Sequence, residues 1–254
     1  MQVQSNATSK CLTEPKCEYA FNHHHRKTFL GGAVHKTATS WLIYHPKREY
    51  RSFDGQPVHF DNTEGNQDPY IWSDRFLHSY CHITQFRAEV GGIHLWVSGD
   101  TFPQFCHLFC DLVFVVADKQ PWKEPNHITR SDPIMESREA FEDHYRWHWQ
   151  HPFKRRKYRY TLKADPMRSF QAQTHTGELI DIVPQLKRRG ITLDQLRAGL
   201  HSGIASRPMK IPHAVAMAVA EGLGNESALL TGPTLRQIRL RHPELASPNT
   251  NSRC

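Results

Sequence analysis

The chain has 254 residues, of which 38% are hydrophobic and 22% charged; that is enough apolar material to offset the ordering entropy that leaves polar chains unfolded. No window reaches the roughly 18 apolar residues of a membrane span, and the start, MQVQSNATSKCLTEPKC, lacks the charged-then-apolar order of a secretory signal, so the cytosol is the expected address and no membrane partner is expected. The formal charge of +7 is uneven: residues 1–127 hold 12 Lys and Arg against 13 Asp and Glu, and residues 128–254 hold 20 against 12.

In chain order, residues 1–27 are polar, include the cluster His23, His24 and His25, and are expected as a lead-in without regular structure. The segments 40–45 (SWLIYH), 56–60 (QPVHF) and 70–72 (YIW) are short, β-branched or aromatic, and bounded by Pro, Gly, Asp and Asn, which predicts strands. Residues 92–100 (GIHLWVSGD) and 111–119 (DLVFVVADK) are continuous apolar runs of strand length, the pattern of strands buried on both faces at a sheet's centre. The stretch between them, TFPQFCHLFC, is long enough for a helical turn, which leaves a parallel pairing open.

Asp132 followed by Pro133 predicts a helix start, and Ile134, Phe141, Tyr145 and Trp149 recur at helical spacing until Pro152. Residues 157–163 (KYRYTLK) alternate Tyr158, Tyr160 and Leu162 with polar or basic neighbours, the period of a half-buried strand. Beyond Asp165-Pro166 the composition turns helical: Thr192 and Gln195 make a capping box, Pro212 opens an Ala/Val helix ending near Gly222 and Gly224, and Pro233 opens another. The expected fold is therefore α+β, with α/β as the variant: a lead-in over 1–27, a mixed-sheet core over 28–165, and a helical region over 166–254 that frays from about residue 246.

Four constellations are candidates for chemistry. In 151–163 (HPFKRRKYRYTLK) the cations Lys154, Arg155, Arg156, Lys157, Arg159 and Lys163 stand without an acid, interleaved with Phe153, Tyr158 and Tyr160; such a surface neutralises phosphates while its rings stack on bases. A solvated edge strand, protected from aggregation by its lysines, explains the same run. Lys187, Arg188 and Arg189 add a second basic cluster, so nucleic acid or nucleotide is the expected partner, with an acidic protein as the alternative. Asp100 and Asp118 follow the two apolar runs; in a parallel sheet both would lie at the carboxyl ends, where open sheets bind ligands and paired carboxylates hold Mg²⁺ or act as acid and base. Turn chemistry explains the same acids.

Asp74, Arg75, His78 and His82 form the third cluster, dense enough for acid/base chemistry and equally readable as a capped helix. The fourth is histidine: 18 in all, with His144 and His148, like His78 and His82, at the i,i+4 spacing that lets two imidazoles grip one divalent metal. Zinc would need further ligands such as Cys81, Cys106, His107 or Cys110, yet no CxxC or HExxH occurs, and packed histidines without metal are the plainer reading. The six cysteines are few, and Cys106 and Cys110 sit in an apolar run, so free thiols rather than a disulfide framework are expected. Gly31-Gly32 ahead of Lys36 and Thr37 lacks the order of a phosphate loop.

Residues 186–200 (LKRRGITLDQLRAGL) and 211–230 (IPHAVAMAVAEGLGNESALL) resemble the first and last helices of phage-repressor-type helix-turn-helix domains. The resemblance implies a turn and a reading helix between them, but only 201–210 (HSGIASRPMK) is available and it contains Pro208, so no base-contacting residue carries over and capped helical packing is expected. Together these features predict nucleic-acid association through the basic segment; the competing expectation is an enzyme acting on a nucleotide, nucleoside or modified base through Asp74, His78, Asp100 and Asp118.

Overall fold

The two longest apolar runs become neighbouring strands, and the rest of the fold is arranged around them. The computed structural model describes residues 38–44, 49–60, 77–78, 88–121, 123–132, 160–201, 208–226 and 228–242. Its strands are β1 (Ser40–Tyr44), β2 (Glu49–Phe53), β3 (Gln56–Phe60), β4 (Leu77–His78), β5 (Ile93–Gly99), β6 (Leu108–Pro121), β7 (Tyr160–Ala164), β8 (Phe170–Gln173), β9 (Ile180–Asp181), β10 (Met209–Ile211) and β11 (Ala228–Thr231). The helices are α1 (Val183–Arg188), α2 (Leu193–Gly199), α3 (His213–Glu226) and α4 (Gly232–Arg241). The fold is α+β, as the pattern of elements predicts.

Among the described residues nine strands share one mixed sheet, ordered β10-β1-β5-β6-β7-β4, with β8 and β9 also pairing with β6 and β11 pairing with β8. β1 runs parallel to β5, and every other pairing is antiparallel. The β5–β6 pairing corrects the parallel alternative: Ile93 lies opposite Val115 and Gly99 opposite Leu108, so the two strands run in opposite directions. The helical turn expected between them is absent; residues 101–107 form an irregular bend, and Leu108, Phe109 and Cys110 already belong to β6. An antiparallel partner needs only a short return, so no crossover helix is required.

β6 is long because one of its edges is paired with β5 while the other receives β9, β8 and β7 in turn as the chain from 160 to 181 folds back along it. Two register shifts, between Trp96 and Val97 and between Val116 and Asp118, mark bulges that increase its twist. The first leaves Asp111 as the extra residue, and its carbonyl accepts a hydrogen bond from Gln171 Nε2 at 3.1 Å.

Burial on both faces of the central strands holds. Leu42, Ile93, Leu95, Val113 and Val115 face a core closed by Leu186 of α1, Leu196 of α2 and Val219 and Leu223 of α3. Trp96, Leu112, Phe114 and Leu162 face the opposite core, closed by Phe53 and Val58 of the β2–β3 hairpin and by Leu235 and Ile238 of α4. Each fully buried side chain of this size contributes about 1.5–3 kcal/mol over its exposed state.

The hairpin turns at Asp54-Gly55, both at positive φ (51° and 76°), the conformation that an Asp-Gly pair adopts most readily. Arg241 and His242 at the end of α4 hydrogen-bond to the Asp54 carboxylate at 2.5 and 3.2 Å and fasten the helix to that turn; these contacts hold the Asp54 carboxyl below its ordinary range. The capping box of α2 forms as predicted, with Gln195 N–H donating to Thr192 Oγ1 and Thr192 N–H to Gln195 Oε1. α3 continues through Gly222 and Gly224 to Glu226. No helix of the described residues is long and apolar enough to cross a membrane. The helix expected over 132–150, the strand at 70–72 and the cluster at 23–25 lie outside the described residues.

Candidate functional site

The basic segment enters the described structure at β7. Tyr160, Leu162 and Ala164 are buried and Lys163 between them is half-buried, the alternation read from the sequence. Tyr160 is nonetheless not a platform for a base. Its side chain is only 3% exposed, its hydroxyl oxygen accepts from Ala88 N–H at 3.0 Å, and Lys119 Nζ lies 4.2 Å from its ring centroid. A ring enclosed this way supplies core packing and a cation–π contact, which corrects the stacking role expected of it. Lys154, Arg155, Arg156, Lys157, Tyr158 and Arg159 lie outside the described residues.

The second basic cluster divides. Lys187 and Arg188 are exposed on the last turn of α1, where positive charge suits the partial negative charge of the helix end. Arg189 instead donates to the Gln185 carbonyl at 3.0 Å and the Ala218 carbonyl at 3.1 Å, tying α1 to α3. It is a structural brace, and the expectation that it contacts phosphate is corrected accordingly. The two basic clusters also attach far apart: Tyr160 pairs with Pro121 and Asp181, just before α1, with Phe109, twelve residues away along β6, or about 40 Å of strand.

The acids are separated by the same antiparallel register. Asp100 follows β5 beside the start of β6, and Asp118 lies ten residues beyond Leu108, about 33 Å along the strand. They do not form one carboxylate pair. Burial pushes the Asp100 carboxyl up, but the backbone N–H groups of Cys106 and His107, at 3.0 and 3.5 Å, outweigh it and hold the group below its ordinary range. Asp118 pairs through its backbone with Lys163 and accepts from Lys119 N–H at 2.7 Å. His78 pairs through its backbone with Leu162, which pairs with Lys119, so two strand spacings, about 10 Å, separate it from that row. The structure therefore brings the backbones of His78 and Asp118 to one end of the sheet and leaves Asp100 at the other.

Asp74, His144 and His148 lie outside the described residues. No group of three His, Cys, Asp or Glu side chains placed to hold a metal occurs among the described residues. Cys110 is a buried free thiol, whereas Cys106 is disulfide-bonded to a partner outside the described residues. The expectation of free thiols fails there because Cys106 sits in the half-exposed bend before β6 and not inside the strand. Arg197 braces that bend through the carbonyls of Gln104 and Phe105.

Two arrangements escape the sequence reading. His107 Nδ1 lies 2.8 Å from Asp181 Oδ2, while Asp181 Oδ1 accepts from the N–H groups of Leu108 and Val183, so one carboxylate joins β6 to α1. Ser40 is fully buried at the start of β1; its Oγ accepts from Ile93 N–H at 3.0 Å and lies 2.8 Å from Nδ1 of His213, the first residue of α3. Burial, and then the charge of Arg168, hold the His213 imidazole below its ordinary basicity. Only the placement of His213 directly after Pro212 hinted at it, since a histidine opening a helix reads first as an exposed polar residue. Compared with family models, with curated proteins and with solved structures, the chain finds no match.

Proposed function

We propose that the protein binds nucleic acid through the acid-free basic run that leads into β7. The observation that carries this reading is the run itself: six cations from Lys154 to Lys163 without an acid, continuous with a strand whose buried Tyr160, Leu162 and Ala164 anchor it to the sheet. Like charges crowded into so few positions repel one another, and a polyanion relieves that repulsion while releasing counterions. Lys187 and Arg188 form a separate exposed patch on α1 and act as a secondary contact. With Tyr160 committed to the core, the rings available for base stacking in the run are Phe153 and Tyr158.

Binding of single- and double-stranded DNA and RNA to the wild type and to a Lys154→Gln/Arg155→Gln/Arg156→Gln/Lys157→Gln variant tests the reading. It expects tight binding at low salt and at least a tenfold loss in the variant, with Lys187→Gln/Arg188→Gln losing less. No binding by the wild type, or equal binding by the variant, contradicts it; capture of an acidic protein in place of any nucleic acid would assign the run to the other polyanion.

A second reading, an enzyme acting on a nucleotide or modified base, is supported by one observation: the backbones of His78 and Asp118 lie at the end of the sheet where the basic run enters. On this reading the run holds phosphates and those two residues supply acid and base. A divalent metal there would need oxygen ligands beyond Asp118. Asp118→Asn should then abolish turnover while leaving nucleic-acid affinity within twofold; an equal loss of both would mean that Asp118 serves binding or folding alone.

A further inference from the structure

A disulfide yields to an attacking thiol most readily when the sulfur that leaves is accessible and a cation stabilises its thiolate. Cys106 meets both conditions: it is disulfide-bonded, and it is half-buried in the bend 101–107. Cys110 is not disulfide-bonded, so the partner cysteine is Cys11, Cys17, Cys81 or Cys254, all outside the described residues. Arg197 of α2 donates from Nη2 to Cys106 Sγ at 3.7 Å. Its guanidinium is fixed there by the Phe105 carbonyl, 3.0 Å from Nε and 2.8 Å from Nη2, and by the Gln104 carbonyl at 3.2 Å. Positive charge thus stands at the sulfur before any thiolate forms. Asp194 Oδ1, 3.9 Å from Nη1, belongs to a side chain that is 95% exposed, so water screens its claim on that charge.

The bend is held by bonds that do not involve the sulfur. Asp100 Oδ1 accepts from the backbone N–H groups of Cys106 and His107, Asp181 accepts from Leu108 N–H and stands 2.8 Å from His107 Nδ1, and Arg197 clamps the two carbonyls. The carboxylates of the bend therefore address backbone N–H groups and an imidazole, while Arg197 addresses the sulfur itself. Breaking the S–S bond removes one covalent link and leaves the bend and its guanidinium in place. Among the described residues no thiol stands ready to attack it: Cys110 is fully buried, with its Sγ directed to the Leu112 carbonyl at 3.7 Å.

We propose that the Cys106 disulfide is a redox switch opened by an external dithiol, with Cys106 as the leaving sulfur and Arg197 as the positioning residue that receives its charge. One thiolate of the dithiol attacks the sulfur of the partner cysteine. The bond to Cys106 breaks, its electron pair leaves on Cys106 as a thiolate beside the guanidinium, and a mixed disulfide forms between the dithiol and the partner cysteine. The second thiolate of the dithiol then displaces the partner cysteine and closes a cyclic disulfide, and the two protons that the dithiol loses pass to solvent or to the released cysteines. The dithiol is oxidised by two electrons and the protein disulfide is reduced by the same two. The switch is distinct from the basic run, and its test does not depend on nucleic-acid binding.

The test uses the folded full chain, dithiothreitol and an alkylating reagent read by peptide mapping. Before reduction, Cys106 should be found joined to one of the four cysteines named above. Dithiothreitol at pH 7 should open that link without unfolding the chain, adding Cys106 and its partner cysteine to the alkylated residues while Cys110 stays protected. In the reduced wild type the alkylation rate of Cys106 should rise with a pH midpoint below the ordinary thiol value of about 8.5. Arg197→Gln should raise that midpoint and lower the alkylation rate at pH 7 by about tenfold, whereas Arg197→Lys, which keeps the charge and loses the fork, should retain most of the effect. Purified protein without a link to Cys106, a link that opens only on unfolding, an ordinary midpoint in the wild type, or a midpoint unchanged in Arg197→Gln overturns the proposal; the wild-type midpoint decides even where a variant fails to fold.

Discussion

His213 is set against protonation by burial first and by the Arg168 charge second, and the sign of its contribution to stability follows. A base whose folded pKa lies below its unfolded value is bound by fewer protons when folded, so its neutral form stabilises the fold above the unfolded pKa of about 6.5, and that stability is lost as pH falls from there through the depressed folded value. Denaturant midpoints should therefore drop between pH 7 and pH 5 in the wild type and change less in His213→Phe; parallel pH profiles would show that the imidazole is not perturbed. Asp132 behaves in the opposite range. Its carboxyl is lowered to about 2 by Lys123, 2.5 Å away, and by the Thr129 backbone N–H at 2.7 Å, so its contribution is present above its ordinary value and lost as pH falls toward about 2. Asp132→Asn should remove that part of the acid sensitivity, which a denaturation series from pH 5 to pH 2 measures. Single residues were the least legible level of the sequence. Tyr160 reads both as one of the apolar positions of a half-buried strand and as a ring for stacking on bases, and Arg189 reads like its neighbours Lys187 and Arg188; only the tertiary partners Ala88 and Ala218 decide that both are structural.

Elements were legible where local chemistry determines them. The Thr192–Gln195 box is a contract between residues three apart, so it survives any tertiary setting; Thr192→Ala should cost about 1 kcal/mol in chemical denaturation, and no measurable loss would mean that packing alone holds α2. The apolar runs at 92–100 and 111–119 predict strands buried on both faces for the same reason, since nearly every position in their centres needs cover. Strand direction was not legible, because it depends on how the bend at 101–107 returns, and apolar runs carry no record of that. The short strands β8 to β11 were also hidden. Phe170–Gln173 places Gln171 and Gln173 inward, polar residues that a pattern reading assigns to loops, and Asp111 provides the carbonyl that makes Gln171 tolerable there. Leu162 tests the anchoring of β7. It is fully buried in the core closed by α4 and the hairpin, so Leu162→Ala should destabilise by about 2–5 kcal/mol, and a loss below about 1 kcal/mol would mean that β7 is not held as described.

At the scale of the whole molecule the charge asymmetry gains a structural setting. The sheet separates two apolar cores, and the C-terminal half supplies β7 to β11 and all four described helices, so the basic half is woven into the sheet and is not an appended tail. β7, into which the run leads, is fixed in the sheet by the buried Tyr160, Leu162 and Ala164. The most direct measurement is the dependence of the nucleic-acid binding constant on salt concentration. The polyanion reading predicts a linear fall of log K with log salt whose slope corresponds to several phosphates and becomes shallower by about one unit for each cation removed between Lys154 and Arg159. Affinity that is flat with salt, or a slope unchanged by removing those cations, would contradict it.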